Sequence, residues 1–193
     1  MSNGPALVIR GTLCGCLVVT LLGWLLAKNI KILPTTEVAY AASPTQALEP
    51  SAKVNECEVS HRFPQGILQW CEIITTLAMK AELPPNLIAA VILQESGGDV
   101  TAYSSSGAVG LMQVMPRDGI AASFECINGP CFASRPTIDE LQDPRYNIEY
   151  GTQMLAGLIA KLGSPREALK AYGPMDMEYR YADKVLAIYE NYR

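Results

Sequence analysis

Apolar and polar positions divide this chain into three unequal stretches. Residues 11–27 carry no charge and are rich in Leu and Val, with Arg10 before them and Lys28 and Lys31 after. As a helix this run rises about 26 Å, near the lower limit for spanning a bilayer. A small-residue triplet, Ala39-Tyr40-Ala41, resembles a signal-peptide cleavage site. It lies well beyond the apolar run, so an uncleaved anchor over residues 1–28 is the favoured reading and a cleaved signal segment the rival. Residues 29–55 hold Pro34, Pro44, Pro50 and several Ser and Thr without any helical or strand period, which predicts a linker.

From residue 56 to 193 the period is helical. Ile67, Trp70, Cys71, Ile74, Leu77, Ala78 and Ala81 recur at three- and four-residue spacing, which predicts one helix over 66–82. Pro84-Pro85 stops it and opens a second helix that runs to Ser96, where Gly97-Gly98 supplies a C-terminal stop. Asp143-Pro144 reads as an N-cap with a first-turn proline, starting a long helix that Gly163 ends. Ser164-Pro165-Arg166-Glu167 reads as a capping box opening another helix, and a last one covers 176–191. No stretch alternates with period two for long, so the expected fold class is mainly α.

Net charge is −4 and the pI about 5.1, so no global positive field draws the protein to nucleic acid. His61 is the sole histidine, which excludes a multi-histidine metal site. There is no GxxxxGK[ST] loop and no GxGxxG turn; neither a metal nor a cofactor is implied. Cys14 and Cys16 lie in the apolar run, while Cys57, Cys71, Cys126 and Cys131 lie in the domain. Outside a membrane these four suggest two disulfides with three possible connectivities. The chain-local pairs Cys57–Cys71 and Cys126–Cys131 are the expected ones, with four free thiols as the alternative.

The residue with chemical promise is Glu95. It ends the apolar run Leu87-Ile88-Ala89-Ala90-Val91-Ile92-Leu93. The negative end of the helix dipole and the apolar neighbours both favour the neutral acid. An acid still protonated near neutral pH can protonate a leaving oxygen, as glycosidic cleavage requires. A carboxylate at a helix end is ordinarily solvated surface; the residues that follow change that reading. Glu95-Ser96 is succeeded by Gly107-Ala108-Val109-Gly110-Leu111-Met112-Gln113-Val114-Met115-Pro116, then Asn147-Ile148-Glu149-Tyr150-Gly151, Ala171-Tyr172 and Tyr181-Ala182-Asp183-Lys184-Val185-Leu186.

These blocks, in this order and spacing, resemble the soluble-type (SLT) lytic transglycosylase domain, whose fold is shared with goose-type lysozyme. The resemblance spans about residues 65–192. It implies a lysozyme-like catalytic domain acting on peptidoglycan glycan strands, with Glu95 as general acid and then base. It also implies that Ser104 and Gln113 contact the sugar chain, that Met112 and Met115 line the cleft, and that Tyr172 orients Glu95 by a hydrogen bond. For each methionine, core packing is the competing role. Ser96 reads as a structural helix-end residue. Two features depart from the family: Gly173-Pro174 stands where the family has Asn after Ala-Tyr, and the segment 119–142, with Cys126 and Cys131, is longer than in many relatives. That segment reads equally as a flap over the cleft or a surface insertion.

The implied reaction cleaves the β-1,4 bond between N-acetylmuramic acid and N-acetylglucosamine. In a lytic transglycosylase one carboxyl suffices and the muramic 6-hydroxyl closes a 1,6-anhydro ring. In a lysozyme-type hydrolase water attacks and a second carboxylate helps, for which Asp99 is the nearest candidate in sequence. A non-catalytic peptidoglycan-binding protein is the remaining alternative. The substrate requires the catalytic domain to face outward, either tethered by the N-terminal helix or secreted after cleavage.

Overall fold

The computed structural model describes residues 56–193. The expected anchor (1–28) and linker (29–55) lie outside the described residues. Among the described residues no helix is long and apolar enough to cross a membrane.

The described chain is mainly α: α1 (Gln65–Leu68), α2 (Cys71–Lys80), α3 (Pro85–Ser96), α4 (Ile138–Leu141), α5 (Pro144–Leu162), α6 (Pro165–Tyr172) and α7 (Tyr179–Tyr192). A 3-10 turn at Gly119–Ser123 leads into an antiparallel hairpin of two-residue strands, β1 (Glu125–Cys126) and β2 (Gly129–Pro130). The core centres on α3, where six consecutive residues from Leu87 to Ile92 are buried. Such a helix is apolar all round and has to be enclosed. It packs against α2 on one side and α7 on another, while α5 packs on α2 and α6 bridges α5 to α7. The Phe63 and Tyr192 rings stack with centroids 4.7 Å apart, joining the start of the domain to its end.

Helix ends follow the local chemistry in most places. Asp143 accepts from Tyr146 N–H at 2.6 Å with Pro144 in the first turn, and α5 stops at Gly163, whose φ of 80° is left-handed. Gly97, φ 64°, closes α3 in the same way. Three expectations need correction. The helix expected over 66–82 is broken at Gln69–Trp70, because α1 crosses the end of α3 backbone to backbone. A Cβ at Gly98 would lie 2.1 Å from the Gly66 carbonyl oxygen, and the Trp70 indole N–H donates to Gly98 O at 3.1 Å. A straight helix would carry α1 off this contact. At α6 only half of the capping box forms: Ser164 accepts from Glu167 N–H, but the Glu167 carboxylate accepts from the Tyr179 hydroxyl instead of turning back. The last helix starts at Tyr179, not 176, since Met177 N–H closes a turn onto Pro174 O and Glu178 takes a φ of 47°. The reciprocal capping box belongs to α4, where Thr137 and Glu140 exchange both bonds.

Both expected disulfides are present, Cys57–Cys71 and Cys126–Cys131. The first pins the segment before α1 onto α2, helped by Glu58 N–H donating to Thr75 Oγ1, while Ser60 N–H donates to Asn86 Oδ1 on α3. The second closes the hairpin.

Glycines 98 and 157 provide opposite tests of this packing. Gly98→Ala combines a positive φ of 92° with a backbone collision and should cost at least about 2 kcal/mol. A Cβ at Gly157, on the exposed side of α5, would meet nothing within 4 Å. Gly157→Ala should therefore stabilise by roughly 0.5–1 kcal/mol. Urea denaturation of both variants checks the signs.

Candidate active site

Glu95 is the penultimate residue of α3, where the chain turns through Gly97 into the loop that precedes the Gly107–Pro116 block. Apolar surroundings desolvate its carboxyl and push its pKa up to about 7, the largest influence on it. The smaller, opposing influence is the Tyr181 hydroxyl, which donates to Glu95 Oε1 and favours the carboxylate. Ser96 ties the helix end to the loop: its hydroxyl donates to Leu111 O at 2.9 Å and its Oγ accepts from Gly98 N–H at 3.2 Å. That is the structural role its position suggested.

The loop beside Glu95 is a compact coil of turns. Val109 and Val114 exchange backbone bonds at 3.0 and 3.1 Å, and Gly110 N–H donates to Ala102 O at 2.8 Å. The fully buried Asn147 of α5 holds it from behind. Its Oδ1 accepts from Met112 N–H, and its Nδ2 donates to Val109 O and Leu141 O, all at 2.9 Å. Gly110 is required there, since a Cβ would stand 2.4 Å from Asn147 Nδ2. Four residues on, Gly151 leaves the space that Met112 Sδ fills, 2.6 Å from where a Cβ would be. The Asn-Ile-x-x-Gly block of α5 is thus the socket for this loop, a function that the motif alone did not disclose.

The sugar-contact expectations meet this geometry unevenly. Gln113 and Ser104 serve the loop itself. Gln113, at φ 47°, donates through Nε2 to Ala102 O and Gly110 O, and Ser104 Oγ accepts from Ala108 N–H at 2.9 Å. Both side chains are half-buried, so each keeps an exposed part beside the turn. Met115 is also half-buried. Met112 is not a cleft residue in its side chain: it is fully buried against Gly151, and core packing explains it.

The expected hydrogen bond from Tyr172 to Glu95 is absent. Tyr172 donates to Met112 O at 2.8 Å, and Tyr181 makes the bond to Glu95. Burial, and after it the Glu95 charge, holds both hydroxyls well above the usual phenolic range. They remain donors at any working pH. Gly173 explains the departure at that position. A Cβ there would lie 2.4 Å from Tyr181 Cγ and Cδ1, so the ring that reaches Glu95 occupies the space a side chain at 173 would need. The first residue after Gly173-Pro174 is the exposed Met175, and the tight turn expected there closes between Pro174 and Met177. Asp99 is exposed, and its Oδ1 accepts from Thr101 N–H and Oγ1–H at 2.8 and 2.7 Å, which lowers its pKa. It is a turn residue, and no second carboxylate contributes to the shift at Glu95. Among the described residues no group of three or more His, Cys, Asp or Glu is placed to hold a metal.

The family model described as the Transglycosylase SLT domain matches residues 72–178. Membrane-bound lytic murein transglycosylase E of Buchnera aphidicola (strain APS) is 34% identical over 113 residues, 58% of this chain and 50% of that protein. The transglycosylase of Enterobacteria phage PRD1 is 35% identical over 107 residues, 55% of this chain and 35% of its own. Endo-type membrane-bound lytic murein transglycosylase A of Citrobacter koseri is 33% identical over 103 residues, 51% and 49% respectively. Matches to these relatives thus extend over half their length or less. Among solved structures, an inactive mutant of lytic transglycosylase Slt from Pseudomonas aeruginosa superposes with a TM-score of 0.48 at 22% identity, covering 62% of this chain and 23% of that one.

Two substitutions probe the Tyr181 contact. Tyr181→Phe removes the donor that lowers the Glu95 pKa, so the Glu95 titration, followed by carboxyl NMR shifts, should move upward from about 7. Gly173→Asn, which restores the family residue, should displace the Tyr181 ring and move that titration in the same direction, with lower thermal stability.

Proposed function

This chain belongs to the transglycosylase SLT domain family, and on that premise we propose that it is a peptidoglycan lytic transglycosylase with Glu95 as its single acid and base. The observation that carries the reading is one half-buried carboxyl, poised near neutrality, with a tyrosine donor and, among the described residues, no carboxylate contributing to its shift. The relatives named as lytic murein transglycosylases support the same substrate class.

The reaction uses these groups in sequence. Protonated Glu95 gives its proton to the glycosidic oxygen between N-acetylmuramic acid and N-acetylglucosamine as the C1–O bond breaks. The muramic N-acetyl oxygen shares the positive charge that develops at C1. Glu95, now a carboxylate, is steadied by the Tyr181 hydroxyl, whose donation favours the charged form. It then takes the proton of the same sugar's 6-hydroxyl as that oxygen bonds to C1, which closes the 1,6-anhydro ring and restores the acid. No water is consumed. A hydrolase would have to activate water, and Asp99, the candidate for that role in sequence, is exposed and spends its Oδ1 on Thr101. Ser104, Gln113 and Met115 line the approach to Glu95 in this reading, with Tyr172 behind them fixing the loop through Met112 O. Residues 56–193 form the catalytic domain. The apolar run in 1–28 tethers it through the linker 29–55, so that cleavage occurs outside the cytoplasmic membrane, in keeping with relatives named as membrane-bound.

Mass spectrometry of digested peptidoglycan tests the reaction. Anhydro-muramyl ends are expected; reducing muramic ends would make the protein a hydrolase, and no release with binding intact would make it a binding protein. Glu95→Gln should abolish release. Activity of the wild type should fall as pH rises through about 7, because the acid is spent when Glu95 ionises. The same raised pKa makes the folded state bind the proton more tightly than the unfolded chain. Stability therefore drains as pH rises from the unfolded value near 4.5 through about 7. Glu95→Gln should accordingly be more stable than wild type at pH 8, by roughly 1–3 kcal/mol, and lose that gain below pH 4.5. Thermal melts across pH read both limits.

A further inference from the structure

The segment 119–142 contributes a charge to the neighbourhood of the site that the proposed mechanism does not use. Arg135 follows the Cys126–Cys131 hairpin and is half-buried. Its guanidinium lies 5.9 Å from the centroid of the Phe132 ring and 5.9 Å from that of Tyr150, and its Nη1 contacts Met154 Sδ. Tyr150 and Met154 flank Gly151 on α5, the glycine that seats Met112, and the Met112 carbonyl is what Tyr172 donates to. The Arg135 charge is close enough to oppose the upward push on the Tyr172 hydroxyl.

What distinguishes Arg135 is the mismatch between its confinement and its partners. The ion pairs among the described residues are Lys80–Glu149, Arg166–Asp183 and Arg193–Glu190, and none includes Arg135. Its one hydrogen-bond partner is a thioether sulfur, a weak acceptor for a group with five strong donors. None of its guanidinium nitrogens is both sealed from solvent and without a partner, so the unused donors keep some access to solvent. Two rings and Met154 of α5 flank the side chain and restrict its rotamers, so less freedom is left to lose on binding. A half-buried planar guanidinium with unused, solvent-accessible donors is suited to take a carboxylate in a two-pronged contact.

We propose that Arg135 is a specificity-determining residue that binds a carboxylate of the glycan strand, from the lactyl group of a muramic residue or from its stem peptide. This rests on the peptidoglycan reading above. The glycan backbone is otherwise uncharged, so a single cation beside the site discriminates between strands by what hangs from their muramic residues. In strands that keep their stems the lactyl carboxyl is tied up as an amide and only stem carboxylates are available. In strands stripped of stems the lactyl carboxylate is free.

The test measures binding of the full chain, with Glu95→Gln to prevent cutting, to insoluble peptidoglycan with stems, to stem-stripped strands, and to each after amidation of its carboxyls. Arg135→Ala is expected to weaken binding about tenfold on the uncapped form of one strand type, and amidation should erase the difference. Loss confined to stem-bearing strands assigns the stem carboxylate; loss confined to stripped strands assigns the lactyl group. Arg135→Lys, which keeps the charge without the fork, should fall between. Equal loss on capped and uncapped strands would mean that Arg135 merely supports the fold, and no loss on any strand would also overturn the proposal. Binding is read whether or not the wild type cuts, so a failure of the enzyme reading shows separately, as strands bound but never cleaved.

Discussion

A side-chain amide sealed inside a protein must find its hydrogen-bond partners there, and Asn147 finds them in the loop that faces Glu95. Its three bonds at 2.9 Å fix Val109, Met112 and Leu141 against α5. An unmade bond in so buried a position costs more than a made one contributes, so the loop has little freedom to sit elsewhere. Everything on the far side of the loop inherits this position. The Leu111 carbonyl meets Ser96 at the end of α3, and the Met112 carbonyl meets Tyr172 at the end of α6. Two helix ends distant in sequence are registered against one turn of backbone. The glycines at 110 and 151 exist for the same fit, one admitting the amide and the other the Met112 side chain.

Within that frame the acid at Glu95 is set by two opposed effects. Burial raises its pKa and the Tyr181 donor lowers it, and burial wins, leaving the group at about 7. In the proposed reaction a carboxyl gives a proton and then takes one back, and this intermediate setting suits both steps. Gly173 belongs to the same balance. By yielding its side-chain volume to the Tyr181 ring it lets α7 send a hydroxyl to Glu95. The missing Asn and the tyrosine contact are therefore one feature seen from two sides.

The 119–142 segment is built differently from the rest. Its hairpin has only four paired residues and exposes Phe124 and Ile127, and it depends on the Cys126–Cys131 bond and the capped α4 for definition. Its anchorage to the core comes through the 3-10 turn, which crowds Gly107, through Arg135 against α5, and through the buried Leu141, whose carbonyl Asn147 holds. The segment is thereby joined to the site's own loop and to the helix that holds that loop.

The sequence by itself determined the helical class, the ends of α3 and α5 and the position of Glu95, and it favoured the chain-local disulfide pairs among three connectivities. All of these depend on residues close together in the chain: a proline and an N-cap, a glycine after an apolar run, cysteines five or fourteen apart. Tertiary structure decided which tyrosine reaches Glu95, since Tyr172 and Tyr181 lie on different helices and only packing sets their distances from a third. It also decided that Met112 is core, because the glycine that receives it is thirty-nine residues away. The break at Gln69–Trp70 has the same origin: the apolar period ran on, but the contact between Gly66 and Gly98 required the chain to bend. Local chemistry wrote the elements, and long-range contact chose which of their side chains meet.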